Sequence, residues 1–326
     1  MPVICTGSIA YDYLMTFPGY FRDHILPDRL ETISLSFLVD TMTRQRGGTA
    51  PNIAYTLALL GDSPLIVGTV GEDFGDYRTW LEDHHLDTRF IRNIAGKFTA
   101  SFFANTDKAN NQICTFYTGA MANAGEISIS ELQAEHPELV LISPNDPGAM
   151  DLYVGECIEL NIPYLYDPSQ QVARVSGSQL RRGVENACSL FCNEYEFELL
   201  QKHTGLSRQE ILDRVYLVVI TLGKNGADIY ADGGCTHTPI VPPEQIADPT
   251  GVGDAFRGGF IRGWRLGLDW TTCGQMGALA ATYCLEQRGT QNHVYSPAEF
   301  VARYRYFFDD EGKLDVLAGR VQKTVN

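Results

Sequence analysis

Short, largely apolar runs recur along the chain, most of them followed by a longer stretch with helical spacing of apolar positions. The runs are Val3-Ile-Cys-Thr-Gly-Ser-Ile9, Leu65-Ile-Val-Gly68, Leu139–Ser143, Tyr164–Asp167, Leu190–Asn193 and Val215–Leu222. A run with no polar interruption is the mark of a strand buried on both faces. Between the runs, helices are predicted from about residue 50 to Gly61, through Trp80, and over 148–160, 178–187 and 195–203. Ser207 with Glu210 forms a capping-box pattern, and Ser296-Pro-Ala-Glu299 opens a last helix with both a cap and an early proline. Strands alternating with helices predict an α/β protein of three layers around a largely parallel sheet. Gly223-Lys-Asn-Gly226 is a turn signal before the alternating segment 227–231, read as an antiparallel edge.

Three segments depart from this rhythm. Residues 31–39 alternate like a half-exposed strand, as do 99–105 and 112–118 on either side of the polar turn Asp107-Lys-Ala-Asn-Asn111. They predict a small β-sheet lid. No repeat, low-complexity tract or linker interrupts the chain, so residues 1–326 are expected to form a single domain, with lid strands inserted at about 13–46 and 97–120.

Charge narrows the choice of partner. The formal net charge is −15, from 40 acidic against 25 basic residues, which disfavours nucleic acid and an anionic membrane surface. A nucleoside triphosphate can still bind through local N–H groups and a metal. Eight cysteines are scattered without a C-x-x-C pair and read as reduced core residues. The first residues lack a basic n-region and Asp12 interrupts the apolar run, so neither a signal peptide nor a membrane span is expected. A cytoplasmic location is the corresponding expectation.

Candidate chemistry concentrates in Asp248-Pro-Thr-Gly-Val-Gly-Asp254, which runs into a helix-period segment ending at Leu266 and followed by another helix around Gly274–Glu286. Gly251, Val252 and Gly253 can turn successive N–H groups toward an anion at a helix N-terminus. Asp254 in the first turn can accept a proton from a hydroxyl that attacks phosphorus. The same residues also suit a simple glycine cap, with Asp254 favoured by the helix dipole alone. Asp12 follows the first strand, where a carboxylate can grip ligand hydroxyls or merely form a turn. Gly47 and Gly48 allow close backbone approach to a ligand, with Asn52 in the turn that follows. No G-x-G-x-x-G follows the first strand, which argues against a dinucleotide dehydrogenase.

Four separated motifs, Gly7…Asp12, Gly47-Gly48-x-x-x-Asn52, Asn193-Glu-Tyr-Glu196 and Thr250-Gly-Val-Gly-Asp254, together resemble the ribokinase-like (PfkB) carbohydrate and nucleoside kinases. Pro249 and Val252 are departures from the usual Asp-Thr-x-Gly-Ala-Gly-Asp signature. Thr6-Gly-Ser-Ile-Ala10, Ser34-Leu-Ser-Phe-Leu-Val-Asp40, Phe116-Tyr-Thr-Gly-Ala-Met121 and Asp167-Pro-Ser-Gln-Gln171 bring the resemblance near the bacterial adenosine kinases of that fold.

The resemblance implies a role for each matching residue. Asp12, Gly48 and Asn52 would hold ribose hydroxyls, and Asp254 would take the proton of the 5′-hydroxyl. Ser8, Ser36, Phe102, Phe116 and Met121 would surround adenine, with Gln170 and Gln171 beside the γ-phosphate path. Asn193, Thr221, Gly223 and Gly226 would line the ATP side, Glu196 would hold Mg²⁺ through water, and Asp248 with Thr250 match a potassium position. The function so implied is ATP-dependent phosphorylation of adenosine to AMP. A sugar kinase, a broader nucleoside kinase and a non-catalytic nucleoside-binding protein are the alternatives, and exposed lid strands suggest a homodimer.

Overall fold

The computed structural model of the protein describes residues 1–25, 31 and 34–319. Two sheets form. The larger has nine strands, with β1 (Val3–Thr6) near one end of the order. On one side of β1 lie β4 (Leu65–Val70) and β5 (Ile91–Asn93). On the other lie β8 (Leu139–Ile142), β9 (Tyr164–Tyr166), β10 (Ser189–Asn193) and β11 (Leu217–Thr221), and all these pairings are parallel. Beyond β11, β12 (Ala227–Ala231) and β13 (Gly234–Thr238) complete the sheet as an antiparallel edge.

Side-chain parity along these strands builds two separate cores, because neighbouring residues of a strand face opposite sides. Ile4, Val140, Ile142, Tyr166, Leu190, Val218 and Ile220 point to one layer. There they meet Tyr153 and Val154 of α3 (Pro147–Leu160), Leu180 and Val184 of α4 (Gly177–Glu185), Phe197 of α5 (Glu194–Thr204) and Ile211 of α6 (Arg208–Arg214). Val3, Cys5, Leu141, Phe191, Leu217 and Val219 point the other way. They meet Ile53 and Leu57 of α1 (Thr49–Leu59), Leu81 of α2 (Gly75–Asp83), Phe260 of α7 (Val252–Arg265) and Cys273 of α8 (Trp270–Leu285). A third cluster joins α8 to α9 (Pro297–Phe307) and α10 (Asp315–Gly319) through Leu279, Phe300, Tyr304 and Leu317.

The smaller sheet has the order β3-β2-β6-β7, with β2 at Ala10–Thr16, β3 at Thr41–Gly47, β6 at Ala100–Thr106 and β7 at Gln112–Tyr117. Two expectations change here. Residues 34–39 form no strand, Thr32 and Ile33 lie outside the described residues, and the strand leading to α1 is β3 instead. Phe37 shows why: its ring packs against Phe17, Phe21 and His24 in an irregular cluster, which gives that side chain a use other than strand pairing. The first apolar run also stops at Thr6, so Asp12 is not at the end of β1 but within β2, opposite Gln45 and Phe102.

Cys114 and Cys235 are exposed, so the reading of the cysteines as core residues fails for these two; every cysteine is free. No helix among the described residues is long and apolar enough to cross a membrane.

Candidate active site

The strand order runs from β1 to β4 and β5 on one side and from β8 to β11 on the other, so the succession reverses between the paired strands β1 and β8, and the C-terminal ends there are where open α/β sheets gather ligands. Ser8 follows β1, Asp167 follows β9, Asn193 ends β10 and Thr221 ends β11. Onto this rim α1 and α7 bring their first turns. Gly48 caps α1 at φ 100°, and a Cβ there would lie 2.4 Å from the Ser8 carbonyl oxygen, so only glycine lets the helix start against that turn. Ser8 Oγ accepts the Thr49 N–H at 3.2 Å. Thr49 is in turn reached by Ser143 Oγ at 3.0 Å.

Gly251 caps α7 at φ 76°, and a Cβ there would meet Thr290 at 2.8 Å. Both the backbone angle and the close approach require glycine, which frees the first N–H groups of α7. Asp254 follows within the first turn, and Asn52 Nδ2 donates to its Oδ2 at 2.8 Å. Asp12, on β2, has its carboxylate against the Gly47 backbone, where a Cβ would lie 2.5 Å from Oδ2.

Burial controls the charge of this pair. Desolvation pushes Asp254 up to about 6 against the pull of Arg257 and the Asn52 hydrogen bond. Desolvation with repulsion from Asp248 and Asp254 pushes Asp12 up to about 7.

Beneath the loop lies a buried ion pair that the sequence reading did not assign. Arg257, one turn into α7, meets Asp167 through Nη2 at 2.8 Å and Nε at 2.5 Å. The pair links the helix of the glycine loop to the end of β9. A lone arginine in a helical pattern carries no signal of its partner in sequence, because the two residues are distant along the chain.

The remaining candidates lie at several separate places. Thr221, Gly223 and Gly226 line an apolar cavity of about 410 Å³ together with Val252, Gly253, Phe256 and Leu285, a size suited to a small ligand. Asn193 caps α5 and exchanges hydrogen bonds with Glu196, which also accepts from Ser169 Oγ at 3.1 Å. Asp248 accepts the N–H groups of Thr250 at 2.9 Å and Gly289 at 3.0 Å, so it organises the loop around the glycines.

Phe102 and Phe116 are register partners across β6 and β7, with Phe116 40% exposed. Met121 is buried against Ala10 and Ala100. Gln171 is buried and donates its amide to the Asn145 carbonyl, whereas Gln170 is exposed and accepts from Ser169. Ser36 is exposed in the irregular segment before β3.

Comparison with known proteins finds relatives along nearly the whole chain. The family model described as pfkB family carbohydrate kinase matches residues 13–297. A nucleoside kinase of Methanothermobacter thermautotrophicus is 29% identical over 311 residues, covering 93% of this chain and 95% of the relative. A Burkholderia thailandensis nucleoside kinase, solved in complex with inosine, superposes with a TM-score of 0.84 at 37% identity, covering 94% of this chain and 98% of the other. The nucleoside kinase of Methanocaldococcus jannaschii superposes with a TM-score of 0.82 at 26% identity, covering 94% and 98%.

Proposed function

Because this chain belongs to the pfkB family of carbohydrate kinases and has the ribokinase-like α/β fold, it is a phosphotransferase acting on a hydroxyl group, and we propose that its acceptor is a nucleoside, adenosine first among them. The observation that carries the reading is the Asp254 carboxylate, seated at the glycine-capped start of α7, held by Asn52 and close enough to Asp12 to repel its charge. Kinases of this family use ATP, and the apolar cavity beside Val252 and Gly253 suits its adenine.

In the proposed reaction Asp254 takes the proton of the 5′-hydroxyl as that oxygen attacks the γ-phosphorus. One P–O bond forms to O5′, the bond from the γ-phosphorus to the β–γ bridging oxygen breaks, and ADP leaves. The N–H groups of Gly251, Val252 and Gly253 would stabilise the charge on the transferring group. Asp12, Gly48 and Asn52 would orient the ribose, and Ser8, Phe102, Phe116 and Met121 would shape the base site, where an aromatic face suits a purine better than a free sugar.

Glu196 fits a Mg²⁺ ion held through water, since each of its oxygens keeps a lone pair beyond the hydrogen bond it accepts. Such an ion would supply charge neutralisation at the phosphates. Among the described residues no cluster of three or more His, Cys, Asp or Glu is placed to hold a metal, consistent with an ion carried mostly by the nucleotide. Asp248 and Thr250 are the residues that would serve a potassium ion.

The small sheet would close over the acceptor, and its exposed edge strand β7 would take a second copy of the chain, a dimer that sedimentation would reveal. The function is tested by phosphoryl transfer from labelled ATP across adenosine, guanosine, inosine, cytidine, ribose and fructose. Adenosine is expected to give the highest kcat/KM. A sugar outrunning every nucleoside would replace this reading with the sugar kinase, and no transfer to any acceptor would leave a binding protein.

A further inference from the structure

We propose that Gln291, in the loop between α8 and α9, is the positioning residue of the acceptor site, because its amide holds Asn52 in the one orientation that presents a donor to Asp254. The inference rests on the kinase reading of Asn52 and Asp254. Gln291 is 2% exposed, and its Nε2 lies 2.6 Å from Asn52 Oδ1 and 2.6 Å from the Tyr77 hydroxyl. Tyr77 donates to the Gly47 carbonyl at 3.1 Å, at the end of β3 where the small sheet joins α1.

The direction of every bond in this chain follows from its two ends. An ionised Asp254 can only accept, so Asn52 must turn Nδ2 toward it and Oδ1 away. The Gly47 carbonyl can only accept, so the Tyr77 proton is used there and the Tyr77 oxygen is left as an acceptor. Two acceptors therefore face position 291, and a carboxamide NH₂ supplies one N–H to each. A carboxylate would oppose both, and an aliphatic side chain would leave both buried and unpaired. The loop that carries Gln291 also carries Gly289 and Thr290, whose contacts reach Asp248 and the Arg46 carbonyl. A single stretch of chain thus supports the glycine loop, the base and the start of the small sheet.

A double-mutant cycle in the full chain tests the proposal. Gln291→Met nearly conserves volume, and it is expected to weaken adenosine binding in calorimetry about tenfold, or ~1.4 kcal/mol. It should lower kcat by a similar factor and change the KM for ATP by less than about twofold. In an Asn52→Ala background the same substitution should cost less than about twofold, since the residue it positions is gone. Gln291→Glu keeps the shape but offers at most one proton where two are needed, so it should remain well below wild type.

An undiminished loss in the Asn52→Ala background, an equal rise in the KM for ATP, or full adenosine affinity in Gln291→Glu would each overturn the proposal. Calorimetry reads the cycle without turnover. It therefore stands apart from the assay of Asp254→Asn, in which wild-type turnover would overturn the kinase mechanism itself.

Discussion

Asp254 is poised between opposing effects: desolvation disfavours its charge, while Arg257 and Asn52 favour it. The balance puts its pKa at about 6, where the carboxylate is ionised at neutral pH yet basic enough to accept a proton. Asp254→Asn should lower turnover on the order of 10²–10⁴-fold while nucleoside affinity, measured by calorimetry, stays near wild type. The same balance sets the pH dependence. A base must be unprotonated, so kcat/KM for the nucleoside, which follows the titration of the free protein, should rise with pH through an acidic limb at about 6–7, the range of Asp254 and Asp12. A profile flat from about pH 5 to 8 would count against this assignment.

Two elements carry the site, and each can be tested as a unit. Helix α7 is tied to the end of β9 by the Arg257–Asp167 pair, whose side chains are 9% and 1% exposed. Arg257→Ala strands a buried carboxylate and should cost about 3–5 kcal/mol of stability in denaturant unfolding. Asp167→Asn together with Arg257→Met should recover much of that loss, because no unpaired charge is left. The small sheet presents Phe116 on β7, and removing this aromatic face should cost adenosine roughly 1–3 kcal/mol of affinity while sparing ribose. An equal loss for both ligands would mean that Phe116 only supports the sheet. Amide exchange in β2, β3, β6 and β7 should slow on adding adenosine if the sheet closes over it, since closure shields the reacting groups from water.

For the molecule as a whole, the acceptor site is a source of instability. Asp12, with an ordinary value of 3.8, is raised to about 7, and Asp254 to about 6, so the unfolded chain releases these protons first as pH rises. The free protein therefore loses the corresponding stability between about pH 4 and 7. Burial lowers His293 to about 4, which acts in the opposite sense: the unfolded chain binds that proton first, and stability is lost as pH falls from about 6.5 toward 4. Asp12→Asn removes one of the raised carboxylates and should melt higher than wild type at pH 8, by about 2 °C for each kcal/mol regained. No increase would mean that the cleft solvates Asp12 well enough to carry its charge.

Local signals in the sequence determined the βα rhythm, the helix caps at Ser207 and Ser296, the glycine loop and the place of Asp254 at the start of α7. Apolar period, capping and glycine placement act over a few residues, so the chain displays them directly. Contacts between distant residues were decided by the tertiary structure. It moved Asp12 onto the small sheet and replaced the strand at 34–39 with β3, because Phe37 found partners in Phe17 and Phe21. It also paired Arg257 with Asp167 and brought Gln291 between Asn52 and Tyr77. A buried amide or guanidinium is defined by the partner that satisfies it, and that partner is set by how helices and strands pack, which no local pattern records.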